Sequence, residues 1–226
     1  MSVWRRCVMA CFLCTSGIAC STTREPTPVS AQNQQLIRDV LHSVGVFHAD
    51  EICIYPRAAG GAAVQITLPR RISISINEQW FDSLGDAGKR FVIGHEAGHL
   101  KRWHGQKTMA AVLTGALVTA GAFWKGGIKV GLPTLVAWLA LLSWYSRRME
   151  LEADGDAAQT PQIARAGIEV MRTCQRCAST KNSSIAQRFN SALYVFSHPP
   201  FERRIKALES IMRMSAKRVG NRARCA

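Results

Sequence analysis

Phe91-Val92-Ile93-Gly94-His95-Glu96-Ala97-Gly98-His99-Leu100 lies in a segment that begins near Asp86 and is predicted to be a helix. In a helix His95 and His99 are four residues apart, so their rings project from one face and can converge on a single ion at about 2.0–2.1 Å. Glu96 sits one position round from the first histidine, where it can take a proton from a water polarised by that ion. Taken alone, the pattern also fits two histidines on the half-buried face of a surface helix, with Glu96 as a solvated charge.

Catalytic zinc normally has three protein ligands and leaves a position to water, so two histidines make an incomplete site. The third candidate lies downstream in Tyr145-Ser146-Arg147-Arg148-Met149-Glu150-Leu151-Glu152-Ala153-Asp154. There Glu150 and Asp154 share a helical face, so Glu150 can ligate while Asp154 orients a ligating histidine through its free ring N–H. Without the upstream histidines the same segment would read as an exposed acidic turn flanked by arginines.

Between the two segments run residues 108–124 and 130–145, both uncharged, joined by Lys125-Gly126-Gly127-Ile128-Lys129. As helices, arms of this length span roughly 25 Å, slightly less than a hydrocarbon core. They predict a marginal transmembrane hairpin, with a buried hairpin of a soluble core as the other reading. Trp103, Trp124, Trp138, Trp144 and Tyr145 lie mostly toward its ends, as interfacial anchors do. Either way the chain returns Glu150 to the side that carries His95 and His99. Lys101, Arg102, Lys107, Arg147 and Arg148 flank that side, which by charge bias places it in a cytoplasm or matrix, whereas a cleaved signal peptide would place it outside.

HEAGH, then SRRMELEAD, then His198-Pro199-Pro200-Phe201-Glu202-Arg203-Arg204-Ile205 resembles the HtpX-like and CAAX-prenyl-protease family of zinc metallopeptidases, whose pattern is HExxH, SRxxExxAD and HPxxxxRI. The likeness covers roughly residues 34–208, with all three motifs in order. It implies Glu150, and not Glu152, as third zinc ligand, with Asp154 as the supporting acid. By position it implies that His198 and Arg204 lie near the metal, steadying the oxyanion or gating the zinc. Arg203 could stand in for Arg204 in a shifted register, and His198 could instead merely cap a helix. His104 further resembles the branch containing the bacterial outer-membrane-assembly protease and the mitochondrial inner-membrane stress protease. His104 falls five residues past His99, about 500° round the helix, and so cannot share the metal-binding face with both ligands. One departure is the stretch Ala62-Ala63-Val64-Gln65, which lacks the Asn-Ala pair often found ahead of the catalytic helix.

Upstream, residues 34–44 space Leu36, Ile37, Val40, Leu41 and Val44 as an amphipathic helix, and three short runs near residues 52–55, 63–68 and 71–76 read as strands. The expected fold is therefore α+β: a mainly helical zincin-type domain at residues 34–212 with a small antiparallel sheet and the inserted hydrophobic hairpin at 108–145. Ile72, Ile74 and Ile76 alternate with Arg71, Ser73 and Ser75, which suggests that this strand is the exposed edge that receives substrate.

Residues 1–20 carry Arg5 and Arg6, no acid and an apolar run, which fits a signal or lipoprotein segment, an organellar presequence or a plain anchor. Residues 21–33 read as a linker, and 213–226 as a basic tail. Cys174 and Cys177 lack a second ligand pair for a structural zinc, so a disulfide or two packed thiols on a helix fits them better.

The chain's 226 residues, 47% hydrophobic, suit one catalytic core, and a formal charge of +14 favours anionic surfaces. With no long basic run and no aromatic ladder, acidic lipid is a better partner than nucleic acid. The expected activity is that of a zinc metalloendopeptidase with one Zn2+ per chain, acting on protein substrates at a bacterial or organellar membrane. A zinc-binding membrane adaptor that keeps the fold without turnover is the alternative, although it would have no use for Glu96.

Overall fold

The computed structural model describes residues 28–46, 52–56, 62–67, 71–179 and 196–224. The leader expected at 1–20, and the linker as far as residue 27, lie outside them.

Helix α1, Ala31–Val44, starts three residues before the periodicity suggests, because the Ser30 hydroxyl accepts the Asn33 N–H and caps it. Gly45 ends it at φ 78°, a left-handed turn that glycine adopts without steric cost. Ile37, Val40, Leu41 and Val44 are buried as the spacing predicts. Strands β1 (Cys53–Pro56), β2 (Ala62–Thr67) and β3 (Arg71–Ile76) follow, then short helix α2 (Glu78–Asp82) and the motif helix α3 (Asp86–Lys101).

The sheet departs from expectation in two ways. It is mixed, with order β1-β3-β2: β2 pairs antiparallel to β3, whereas β1 runs parallel to it. The strand at 71–76 is therefore central and not an edge, and both of its ladders are occupied. Ser73 and Ser75 are accordingly buried along with Ile74 and Ile76. Short-range alternation reports the faces of a strand and not its place in the sheet.

A polar network pins α1, α2 and α3 together. Asn33 Nδ2 donates to Glu78 Oε1 at 2.7 Å and to Asp82 Oδ1 at 2.8 Å, and Lys89 Nζ donates to Asn33 Oδ1 at 3.0 Å and to Asp82 Oδ1 at 2.8 Å. Beneath it Ile37, Leu41, Ile74, Ile76, Phe81 and Ile93 form a fully buried cluster.

Helix α4, His104–Ala157, is two helical arms joined where Gly127 leaves helical geometry at φ 57°, within the expected tip. The arms run side by side. A Cβ on Gly115 would collide with the Trp138 indole, and one on Gly131 with the Phe123 ring, so these glycines permit the close approach. Helix α5, Pro161–Ser179, carries the CxxC, and α6 is Phe201–Arg224, so the tail expected from 213 continues as helix. Phe91, Ala157, Ala164, Ile168, Met171 and Leu208 make a second core that joins α3 to α4, α5 and α6.

Candidate metal centre

Glycine lets the two carboxylates of α4 reach the histidines of α3. A Cβ at Gly94 would lie 3.1 Å from the Ala157 Cα, and one at Gly98 would lie 3.0 Å from the Ala153 Cα. Both glycines face alanines one helical turn apart, so the backbones come together along the stretch that carries Glu150 and Asp154. Larger residues would hold the helices apart.

The result is one compact cluster. His95 Nε2 and His99 Nε2 are 3.2 Å apart, Glu150 Oε2 is 3.5 Å from the first, and Glu150 Oε1 is 3.3 Å from the second. Donors that each bind zinc at about 2.0–2.1 Å in a tetrahedron stand about 3.3–3.4 Å from one another. Moreover, Glu150 Oε2 is a buried carboxylate oxygen with no hydrogen-bond partner, which is costly unless a cation meets it. By spacing and by donor chemistry the trio fits zinc.

Behind the trio lies a second set of contacts. Asp154, fully buried, places Oδ1 3.0 Å from His95 Nδ1, which fixes the ring with Nε2 toward the cluster. Arg204 grips Asp154 with both prongs, Nε to Oδ2 at 2.7 Å and Nη2 to Oδ1 at 2.6 Å, while its Nη1 stands 3.6 Å from Glu150 Oε2. Arg203, one residue away, is exposed, so the unshifted register is the one that enters the site. His198 is 4% exposed with Nε2 3.5 Å from Glu150 Oε1, and its Nδ1 meets Ser197 Oγ at 2.8 Å. Helix α6 begins beyond it, with Pro200 O accepting the first N–H groups, so His198 is no cap.

The electrostatics follow this packing. Burial alone would raise the pKa of Glu150, but His198, His95 and His99 hold it well below the usual carboxylate range. Asp154 is likewise raised by burial and lowered by more through Arg204 and His95. Burial opposes charge on His95, yet Asp154 and Glu150 prevail and lift it to about 10.

A family model for peptidase family M48 matches residues 64–212. This chain belongs to peptidase family M48. It is therefore a zinc metalloendopeptidase, and the His95, His99 and Glu150 cluster is consistent with the zinc site that M48 proteins use. Comparison with curated proteins gives no match.

His95, His99, Glu150, Asp154, His198 and Arg204 come together, and Glu96 lies buried on α3 immediately after His95. His104, set aside from the metal-binding face on sequence grounds, lies against the back of His99. Its Nδ1 lies 2.9 Å from His99 Nδ1, and only 3% of the residue is exposed. The two helices are not continuous: Trp103 adopts φ 58° and turns the chain back, which voids the rotation that dismissed this histidine. Nothing in Leu100-Lys101-Arg102-Trp103-His104, which has neither glycine nor proline, signals that break. Burial first, and then His99, lower the His104 pKa to about 4.

Proposed function

We propose that the protein hydrolyses peptide bonds of membrane-associated or misfolded proteins, with one Zn2+ per chain held by His95, His99 and Glu150 and with Glu96 as general base. The observation that carries this reading is the convergence of His95 Nε2, His99 Nε2 and the Glu150 carboxylate, each histidine nitrogen lying 3.2 Å from the other and 3.3–3.5 Å from one of the two carboxylate oxygens, of which Oε2 is buried without a hydrogen-bond partner. Zinc bound there supplies Lewis acidity that brings the pKa of a water toward about 7. Glu96 would take a proton from the attacking water and deliver it to the departing amine as the peptide bond breaks. His198 offers a ring N–H toward the charge that develops on the carbonyl oxygen. Arg204 acts at one remove, locking Asp154 and through it the ring of His95. An extended substrate is received along the outer edge of β2, which packs against α3 and carries no further strand among the described residues.

The hairpin supports a membrane location. Helix α4 contains a window of mean hydropathy 1.5 of which only 11% is buried, and Leu117, Ile128 and Trp124 are 75%, 70% and 91% exposed. Surfaces of this size and character mark contact with lipid or another partner. At its base Arg147, Arg148 and Arg203 line a cleft of about 500 Å3 with Trp144 and Phe196, where acidic headgroups would meet them.

The test is zinc content and casein cleavage on detergent-purified wild type and Glu96→Gln. The variant keeps about one zinc per chain and loses cleavage by roughly 10²–10⁴-fold. Undiminished cleavage in a clean preparation would sink the mechanism, and well-folded wild type without metal would sink the site.

A further inference from the structure

A histidine that binds metal through Nε2 must carry its proton on Nδ1, and that N–H needs an acceptor to hold the ring. His95 has Asp154 for this purpose, at 3.0 Å. Behind His99 stands another imidazole instead, His104, whose Nδ1 is 2.9 Å from the His99 Nδ1 with the rings inclined at 75°. Two imidazole nitrogens so close cannot both carry protons, nor can both be bare without losing the bond, so one donates and the other accepts.

We infer that His104 is a positioning residue of the zinc site: its Nδ1 lone pair accepts the Nδ1–H of His99 and thereby turns the His99 Nε2 lone pair toward the metal. This rests on the proposed ligand set. It assigns His104 the tautomer with its proton on Nε2, a buried atom that has no hydrogen-bond partner and stands 3.7 Å from Glu152 Oε2. Glu152 is itself held by Arg148 at 3.0 Å and by Arg102 at 3.6 Å, so its negative charge is fixed on the side of His104 toward which that N–H points. The two ligating histidines are therefore braced in different ways, one by an anion clamped to Arg204 and the other by a neutral ring facing an anion.

The backbone shows what this placement demands. Among the described residues Trp103 is the only non-glycine with positive φ, a conformation that strains a bulky aromatic. Its side chain is 62% exposed, so burial of the indole does not compensate. What the turn accomplishes is to end α3 at Lys101, start α4 at His104 and fold that residue back over the preceding turn onto His99.

The experiment compares zinc affinity, by chelator competition, and the visible spectrum of the cobalt-substituted full-length chain in detergent for wild type, His104→Leu, His104→Asn and His104→Gln. The Asn side-chain oxygen occupies nearly the place of His Nδ1, whereas Gln sets its amide one bond further out. The inference expects His104→Leu and His104→Gln to bind zinc roughly 10–100-fold more weakly with an altered cobalt spectrum, and His104→Asn to stay within a few-fold of wild type with its spectrum kept. Equal affinities for wild type, Gln and Asn would overturn it, as would an Asn variant no better than Gln. If His104→Leu does not fold, the Asn and Gln pair still decides. Failure of the ligand set looks different: wild type itself would then bind no metal, or bind it equally well after Glu150→Gln.

Discussion

The hairpin and the last turns of α4 belong to one helical element yet follow opposite rules of burial. Along the arms Leu113, Leu117, Val136, Leu139 and Trp144 stand exposed, and no charge interrupts either arm. Beyond Arg148 the same helix buries Glu150 and Asp154 almost completely. Apolar side chains are left uncovered in the first region, and carboxylates are taken out of water in the second. Each is expensive unless something completes it. Arg204 completes Asp154, and in the proposed function zinc completes Glu150. For the arms the medium proposed here is lipid, which their length and exposed apolar side chains suit. The lesson is that each half is unfinished in its own way, and what it lacks indicates what it binds.

The most severe way to break this contrast is Glu150→Gln. It removes the anion that the two histidines surround, so the zinc dissociation constant should rise by more than the roughly 10–100-fold that loss of an outer-sphere partner costs. Chelator competition measures it. Membrane association should not change, since the arms make no use of Glu150. Loss of both together would mean that the hairpin and the centre are one structural unit and not two.

Asp154→Asn comes next. Arg204 is buried against Asp154 through two short contacts, and removing one partner of a buried pair costs about 3–5 kcal/mol because the other charge is stranded. Zinc affinity should fall about 10–100-fold at the same time, because His95 loses its acceptor. Chemical denaturation of the metal-free protein separates the two effects. A variant that binds zinc weakly with unchanged stability would show Asp154 acting only on His95.

Much of this was legible in the residues, and the exceptions share a cause. The spacing of His95 with His99, and of Glu150 with Asp154, is a helical property, so local pattern predicts shared faces and the structure agrees. The hairpin was legible because an uncharged run of that length needs no tertiary information. What local pattern cannot show is which strand lies in the middle of a sheet, and the segment at 71–76 turned out to be central because β1 pairs parallel to it across an intervening strand of sequence. Nor can it show a helix broken by a residue as ill-suited as Trp103, so His104 was set aside on a rotation that the chain does not follow. Both failures lie where tertiary contacts override a local preference.

Leu117→Arg tests the other half. Leu117 is 75% exposed within the first arm. If the arm lies in lipid, an arginine near its middle costs about 2.5–3.5 kcal/mol, and flotation with anionic phospholipid vesicles should fall sharply while zinc content holds. If the arm faces water, the change is an ordinary surface substitution worth within about 0.5 kcal/mol, and flotation should not respond.

The smallest effect is the sharpest, because it sets two glycines against each other at the junction of α3 and α4. Gly155 has open space where a Cβ would go and sits on an exposed face of α4, so Gly155→Ala should stabilise by about 1 kcal/mol through backbone propensity alone. Gly98→Ala gains the same propensity, but its Cβ would press on the Ala153 Cα at 3.0 Å and the Ala153 carbonyl oxygen at 3.3 Å. Backbone atoms cannot rotate aside as a side chain does, so the helices must part, at a cost of about 1–3 kcal/mol that cancels or exceeds the gain. Parting them also draws Glu150 away from His95 and His99. Thermal melts should therefore rise for Gly155→Ala and stay level or fall for Gly98→Ala, and only the second should weaken zinc binding. Equal and opposite results would relocate the tight contact; a rise in both, with zinc affinity intact, would show that α3 and α4 have slack at the place where the centre needs them closest.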